Sequence, residues 1–260
     1  MPTIYRLDAD STGTDSIQSY VDEHKIINIP CPTFKAFDIA AADLQDKVEP
    51  GDAVIFDTLT VLLDTTRGDM MHGDDPSKLL WNEHEKYYGD KQYLNTYKGS
   101  QNLTLRRVRN LVNRGVHGII VCHTKEGKDQ WDTLDKRAVP LVNPAMVDDL
   151  IGACSDVFML EVLETDFYAG EKVAIPAGEH VLWLRRTAAH TAKFHVDPKR
   201  VDPKKIPDGI KDPTMEKLCG VLHKVPKCLC IYGHPGSGKS TLAAGIVEAL
   251  TAKPTAKKKE

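Results

Sequence analysis

The sequence predicts an α/β protein with a mostly parallel central sheet and helices on both faces, and three observations carry that prediction. Runs of consecutive apolar residues, such as Ala53-Val54-Ile55-Phe56 and Gly118-Ile119-Ile120-Val121-Cys122, have the length of strands buried on both faces. Stretches with apolar residues near the helical period separate some of them, as parallel crossovers require. Several runs end in polar residues, among them Asp57 and His123, and the carboxyl ends of parallel strands are where such sheets hold ligands.

At 260 residues the chain is long enough for one large α/β domain with a substantial core. Charged residues make up 27% and hydrophobic ones 41%, the proportions of an ordinary globular protein. A formal net charge of −3 announces no nucleic-acid or membrane partner, so any such surface must be local. Six cysteines occur without a secretory leader, so the expected compartment is reducing and cytoplasmic. No apolar run approaches the roughly 20 residues that span a bilayer, and no membrane partner is expected.

In chain order, Thr3-Ile4-Tyr5-Arg6-Leu7 reads as a strand ending in the acidic turn Asp8-Ala9-Asp10. A short helix is expected over Asp15 to Glu23, capped by Thr14 or Asp15, then a strand at Ile26 to Ile29. Phe34, Phe37, Ala40, Ala41, Leu44 and Val48 make one face of an amphipathic helix. Ala53 to Phe56 then delivers Asp57 to the edge of the sheet.

From Thr65 to about Leu103 the sequence reads as a long excursion of loops and short helices with Trp81, Tyr87, Tyr88, Tyr93 and Tyr97. Two readings stand there, a small subdomain with its own aromatic core or a basic-aromatic surface for single-stranded nucleic acid. A basic helix follows over Asn102 to Arg114, whose arginines form either a solvated face or a nucleic-acid contact. After the strand ending at Cys122 come His123-Thr124-Lys125, and then a loop from Glu126 to Pro144. A helix is expected at Met146 to Cys154, with strands at Asp156 to Glu161 and Val181 to Arg186. Residues 198–214, rich in Pro, Lys and Asp, read as a linker or a former terminus.

The most specific signal comes last. Cys228-Leu229-Cys230-Ile231-Tyr232 is a strand, Gly233-His234-Pro235-Gly236-Ser237-Gly238-Lys239-Ser240-Thr241 fills every position of G-x-x-x-x-G-K-[ST], and Leu242 onward is a helix. The glycines let backbone N–H groups converge on phosphate oxygens at the positive end of the new helix. Lys239 would then reach the β- and γ-phosphates, and the Ser240 hydroxyl would sit on Mg²⁺ opposite Asp57. So few residues follow that the remaining strands of this site must lie upstream, in residues 1–197.

Taken together, these motifs resemble RecA-like P-loop recombination ATPases, above all the small phage proteins of the Sak-four type linked to single-strand annealing. The resemblance covers nearly the whole chain in circularly permuted order, with residues 215–260 read before residues 1–214 as a single ATPase domain. It implies ATP and Mg²⁺ as cofactors, Asp57 as the Walker B acid and Asp10 as the residue that activates water. Asp10 stands where RecA-type proteins place a glutamate, one methylene longer. The resemblance further implies His123 and Lys125 as polar sensors, and Lys193 as a cationic finger to a neighbouring subunit's nucleotide, with Arg185 or Arg186 as substitutes. Expected partners are single-stranded DNA, further copies of the chain with nucleotide at their interfaces, and a single-strand-binding protein, in a bacterial host cell if the protein is phage-encoded.

Two other functions stand beside this one: a DNA-annealing module with negligible turnover, and a RecA-fold motor or switch outside recombination, helicase-like or signalling. Two patterns are set aside. Phe37-Asp38-Ile39-Ala40 spells a subunit-docking FxxA but sits in the amphipathic helix, where core packing explains it. His180, His190 and His195 with Cys228 and Cys230 match no standard zinc spacing.

Overall fold

A computed structural model describes residues 2–10, 17–23, 26–72, 102–126, 138–142, 144–163, 167–168, 171–172, 179–187, 190–195, 204, 206–221 and 226–251. In order, its elements are β1 (Ile4–Asp8), α1 (Gln18–Asp22), β2 (Ile27–Pro30), α2 (Phe34–Lys47), β3 (Ala53–Asp57), α3 (Leu59–His72) and α4 (102–113). There follow β4 (His117–Glu126), β5 (Ala138–Pro140), α5 (Pro144–Ala153), β6 (Asp156–Leu163), β7 (Phe167–Tyr168), β8 (Glu171–Lys172) and β9 (Glu179–Trp183). The last are β10 (Gly209–Lys211), α6 (Met215–Val221), β11 (Cys228–Gly233) and α7 (Lys239–Thr251).

The principal sheet has the order β10-β9-β6-β11-β4-β3-β1-β2, with β5 paired to the end of β4. Pairings from β2 through β6 along this path are parallel, while β9 and β10 add antiparallel strands at one side. The terminal strand β11 is thus an interior strand. Its six residues are all buried, and it pairs with β4 through Gly118 to His123 and with β6 through Asp156 to Leu160.

The two-residue period of β11 divides its side chains between two cores. Cys228, Cys230 and Tyr232 face a cluster built with α2, α3, α4 and α5, while Leu229 and Ile231 face one built with α7 and Leu218 of α6. A sheet covered this way needs apolar residues at successive positions, which is why its strands read as unbroken hydrophobic runs. Phe37, the first residue of the FxxA pattern, is 1% exposed and packs against Phe34 and Phe56.

Several expectations are corrected. The helix α3 continues through Thr65 to His72, where an excursion was expected; the Thr66 hydroxyl donates to Leu62 O at 2.7 Å, so its polar group is satisfied within the helix. Residues 73–101, with Trp81 and the four tyrosines, lie outside the described residues, as do Thr14 and Asp15. Helix α1 begins only at Gln18, and its N-cap, Ile17, makes no side-chain cap.

The expected loop from Glu126 to Pro144 holds β5, whose pairing extends β4 past His123 to Glu126. Residues 127–137 of it are not described. The strand expected at Val181 to Arg186 starts and ends earlier, because the amides of Leu184 and Arg185 turn to Asp208 O. The segment read as a linker contains β10, antiparallel to β9, with Ile210 buried. Three residues held by backbone pairing leave no periodicity to read.

Candidate functional site

The strand β11 delivers its glycine turn to the carboxyl edge of the sheet. At Gly233 a β-carbon would fall 2.0 Å from Leu160 O, so only a residue without one lets β11 lie this close to β6. Gly236 and Gly238 have φ of +77° and +84°, the left-handed region that the turn requires before α7 starts at Lys239. His234, Pro235 and Gly236 are exposed on the turn, Ser237 is buried beneath it, and Ser240 and Thr241 occupy the first turn of the helix. The motif therefore runs as one tight turn into the N-terminus of α7, the helix end that carries partial positive charge.

Lys239 is 5% exposed, and its Nζ folds back to donate to His234 O at 2.6 Å. Ser237 Oγ lies 3.5 Å from the same nitrogen. Burial pushes the ammonium down to about 8, against the opposing pull of Asp57 and Asp10. A buried cation held by one backbone carbonyl is poised for a stronger anionic partner.

Asp57 ends β3 at 2% exposure. Its Oδ2 accepts from Arg6 Nε at 2.8 Å, and Arg6 Nη1 bonds Asp8 Oδ2, also at 2.8 Å. Asp57 Oδ1 is buried with no hydrogen-bond partner among the described residues, and it is the atom a cation would take. Asp8 is turned inward. It accepts from Arg6, from Asn28 Nδ2 and, through Oδ1, from the amide of Asp10. Asp10 is half-buried, and its charge is felt by both His123 and Lys239.

His123 stands opposite Gly233 in the β4–β11 register, and its amide donates to Thr60 Oγ1 at 2.9 Å. Burial, then the Lys239 charge, lowers its imidazole below the ordinary value; Asp10, Asp57 and Asp64 pull the other way. A lowered value leaves the ring neutral near pH 7. Asp10, Asp57, His123 and Lys239 therefore share one electrostatic neighbourhood, although the chain brings them from four strand ends.

Lys193 is elsewhere. It bridges Val157 near the start of β6, toward the amino edge of the sheet, and its Nζ donates to Cys154 O at 2.7 Å and Ile151 O at 3.3 Å. The carbonyls at the C-terminus of α5 hold this cation within the single chain. Arg185 lies 3.7 Å from Asp208, and Arg186 is exposed.

Three features were not anticipated. Arg6 is a fully buried guanidinium, and its signal was present: a lone charge inside an apolar strand, two residues before Asp8 on the same face, needs a partner. Thr60 ties α3 to β4 by donating to Leu141 O at 2.9 Å as it accepts from His123. A cavity of about 460 Å³ opens beside Gly238, Thr241 and Gly245, walled by His180, Asp212 and Thr214. Asp212 and Thr214 of that wall come from the segment read as a linker, and His180 from β9.

Among the described residues no group of three or more His, Cys, Asp or Glu side chains is arranged to hold a metal ion, and Cys31, Cys122, Cys154, Cys228 and Cys230 are free and buried. No described helix is long and apolar enough to cross a membrane. Comparison of the chain with protein families, with characterised proteins and with solved structures finds no match.

Proposed function

We propose that this chain is a RecA-like P-loop ATPase in circularly permuted order, acting on single-stranded DNA in phage-type recombination or single-strand annealing. The observation that carries the reading is the seat of β11 between β4 and β6, which sets Lys239 in the field of Asp57 and Asp10. One strand, β4, lies between the loop strand and the Asp57 strand.

The residues fit a triphosphate with magnesium. The glycine nest and Lys239 would hold the phosphates, and Asp57 Oδ1 with the Ser240 hydroxyl would hold Mg²⁺, which needs few protein ligands when phosphates and water complete its shell. ATP supplies the transferable phosphoryl group. Asp10 is the carboxylate that the resemblance assigns to orienting water, and its charge reaches both His123 and Lys239. His123 is a neutral polar group beside it. The cavity next to Thr241 is large enough for the nucleoside. Because Lys193 is engaged with α5, a cation completing the site comes from another residue, in a homo-oligomer with nucleotide between subunits.

Phosphate release, measured with and without single-stranded DNA against a Lys239→Ala control, tests the reading. Release that DNA stimulates supports it. No release above the control ends the enzyme reading and leaves an annealing module. Release indifferent to DNA, with no salt-sensitive DNA binding, leaves a motor or switch outside recombination.

A further inference from the structure

Helix α4 has two faces with different fates. Leu105, Val108 and Leu111 are buried in the core shared with α2, α3 and α5. Of the arginines, Arg107 is held on the side toward α2 by Asp38, through a 2.8 Å hydrogen bond. Arg114, just past the helix, donates to Gln45 O and lies 3.7 Å from Asp46. Arg106 and Arg109 are different. Both are exposed, and neither makes an ion pair or hydrogen bond among the described residues.

They line a groove of about 410 Å³ with Asn102, Asn110 and Asn113 of the same helix and Asp149 of α5. Positions 102, 106, 109, 110 and 113 repeat at three and four residues, so the groups form one stripe along the helix, about 16 Å from first to last at 1.5 Å per residue. Helix α4 returns along the sheet into β4, with Val108 and Val112 against Gly118 at the start of that strand. Its Asn102 end therefore points toward the edge that carries Asp57 and His123.

From this arrangement we infer that the Arg106–Arg109 stripe of α4 is a contact surface for single-stranded nucleic acid, a proposal that rests on the DNA-directed reading above. Guanidinium groups pair bidentately with phosphate and stack on bases. Asparagine amides both donate and accept, the combination that base edges offer. Single-stranded nucleic acid uses both kinds of group, its phosphates the two cations and its base edges the three amides. Asp149 opposes a polyanion and sets the groove's net charge at +1, so binding depends on both arginines.

The test is fluorescence anisotropy of a labelled oligothymidine of about 30 nucleotides, titrated with the full chain over a range of salt. Arg106→Ala/Arg109→Ala is expected to weaken binding about 10-fold to 100-fold and to flatten the log–log salt slope by about 1.4, two single-strand phosphate contacts at about 0.7 each. Asp149→Asn is expected to tighten binding about 2-fold to 5-fold. Arg114→Ala, which removes one positive charge from a residue turned to α2, is expected to change the slope by less than half as much as the double variant, which removes two. Circular dichroism and melting temperature verify that each variant is folded. Wild-type protein that binds no single strand at all defeats the DNA reading and this one with it. Wild-type binding that the double variant retains, or an Arg114→Ala effect equal to its own, overturns the stripe alone. Equal displacement of the oligonucleotide by poly-glutamate also overturns it, in favour of an acidic protein partner.

Discussion

Asp57 meets Arg6 through one carboxylate oxygen: Oδ2 lies 2.8 Å from both Nε and Nη2, while Oδ1 is buried with no hydrogen-bond partner among the described residues. The guanidinium thereby separates two tasks on one side chain. It neutralises and orients the carboxylate through one oxygen, and the Asp57 charge is felt by Lys239.

Removing Arg6 should expose how much the fold depends on that arrangement. Arg6→Leu leaves the Asp8 and Asp57 carboxylates buried side by side in β1 and β3 without their cation, and is expected to lower stability by about 3–5 kcal/mol. Urea denaturation measures it. A loss below about 1 kcal/mol would contradict the buried pairing.

Asp57→Asn keeps the shape and removes the charge that would face a cation. Binding of a fluorescent nucleotide is expected to lose its dependence on Mg²⁺, by about tenfold or more, while magnesium-free binding through Lys239 persists. Unchanged magnesium dependence would remove Asp57 from the site.

Two glycines give opposite expectations. Gly233→Ala forces a β-carbon to within 2.0 Å of Leu160 O, a backbone atom that cannot swing aside, and should destabilise by about 3 kcal/mol. Gly152 in α5 has nothing within 4 Å of its virtual β-carbon, so Gly152→Ala should stabilise by about 0.5–1 kcal/mol. Thermal melts of both variants decide it, and equal effects would argue against the close β6–β11 approach.

Lys239 makes the stability of the ligand-free protein rise with pH in a defined window. Its folded value, about 8, lies below the unfolded 10.5. Between them the unfolded chain binds a proton that the native state has released, so stability rises there. Below pH 8 the cost of the buried charge is fully present, on the order of 3 kcal/mol. Chemical denaturation from about pH 7.5 to 10, compared with Lys239→Met, should give curves that converge as pH rises. Parallel curves would mean that Lys239 is not buried as a cation.

A rearranged chain tests the permuted order. Residues 215–260 followed by residues 1–214 should fold to the same secondary-structure content and bind nucleotide with an affinity within about fivefold of the original, since no sheet pairing changes. A rearranged protein that folds but has lost nucleotide binding would refute the rotated reading.

Legibility divided along physical lines. The β11 turn and the start of α7 could be read because each residue there has a local cause: left-handed φ at Gly236 and Gly238, and a helix N-terminus after them. Asp57 could be read because a strand buried on both faces leaves an unmistakable apolar run before its polar end. Arg6 left a trace that went unread. The contacts of Lys193 could not be read, because the carbonyls that hold it belong to a helix forty residues away in sequence.

The sequence by itself determined the α/β class, the glycine turn that leads into a helix at Lys239, and the apolar strand that ends in Asp57, since backbone conformation and hydrophobic period are written residue by residue. Only the tertiary structure decided that β11 sits between β4 and β6, that β10 exists, that Asp212 and Thr214 wall the cavity, and which arginines of the α4 region face outward. Strand neighbours are chosen by backbone hydrogen bonds and shared burial, and neither names its partner in the local sequence.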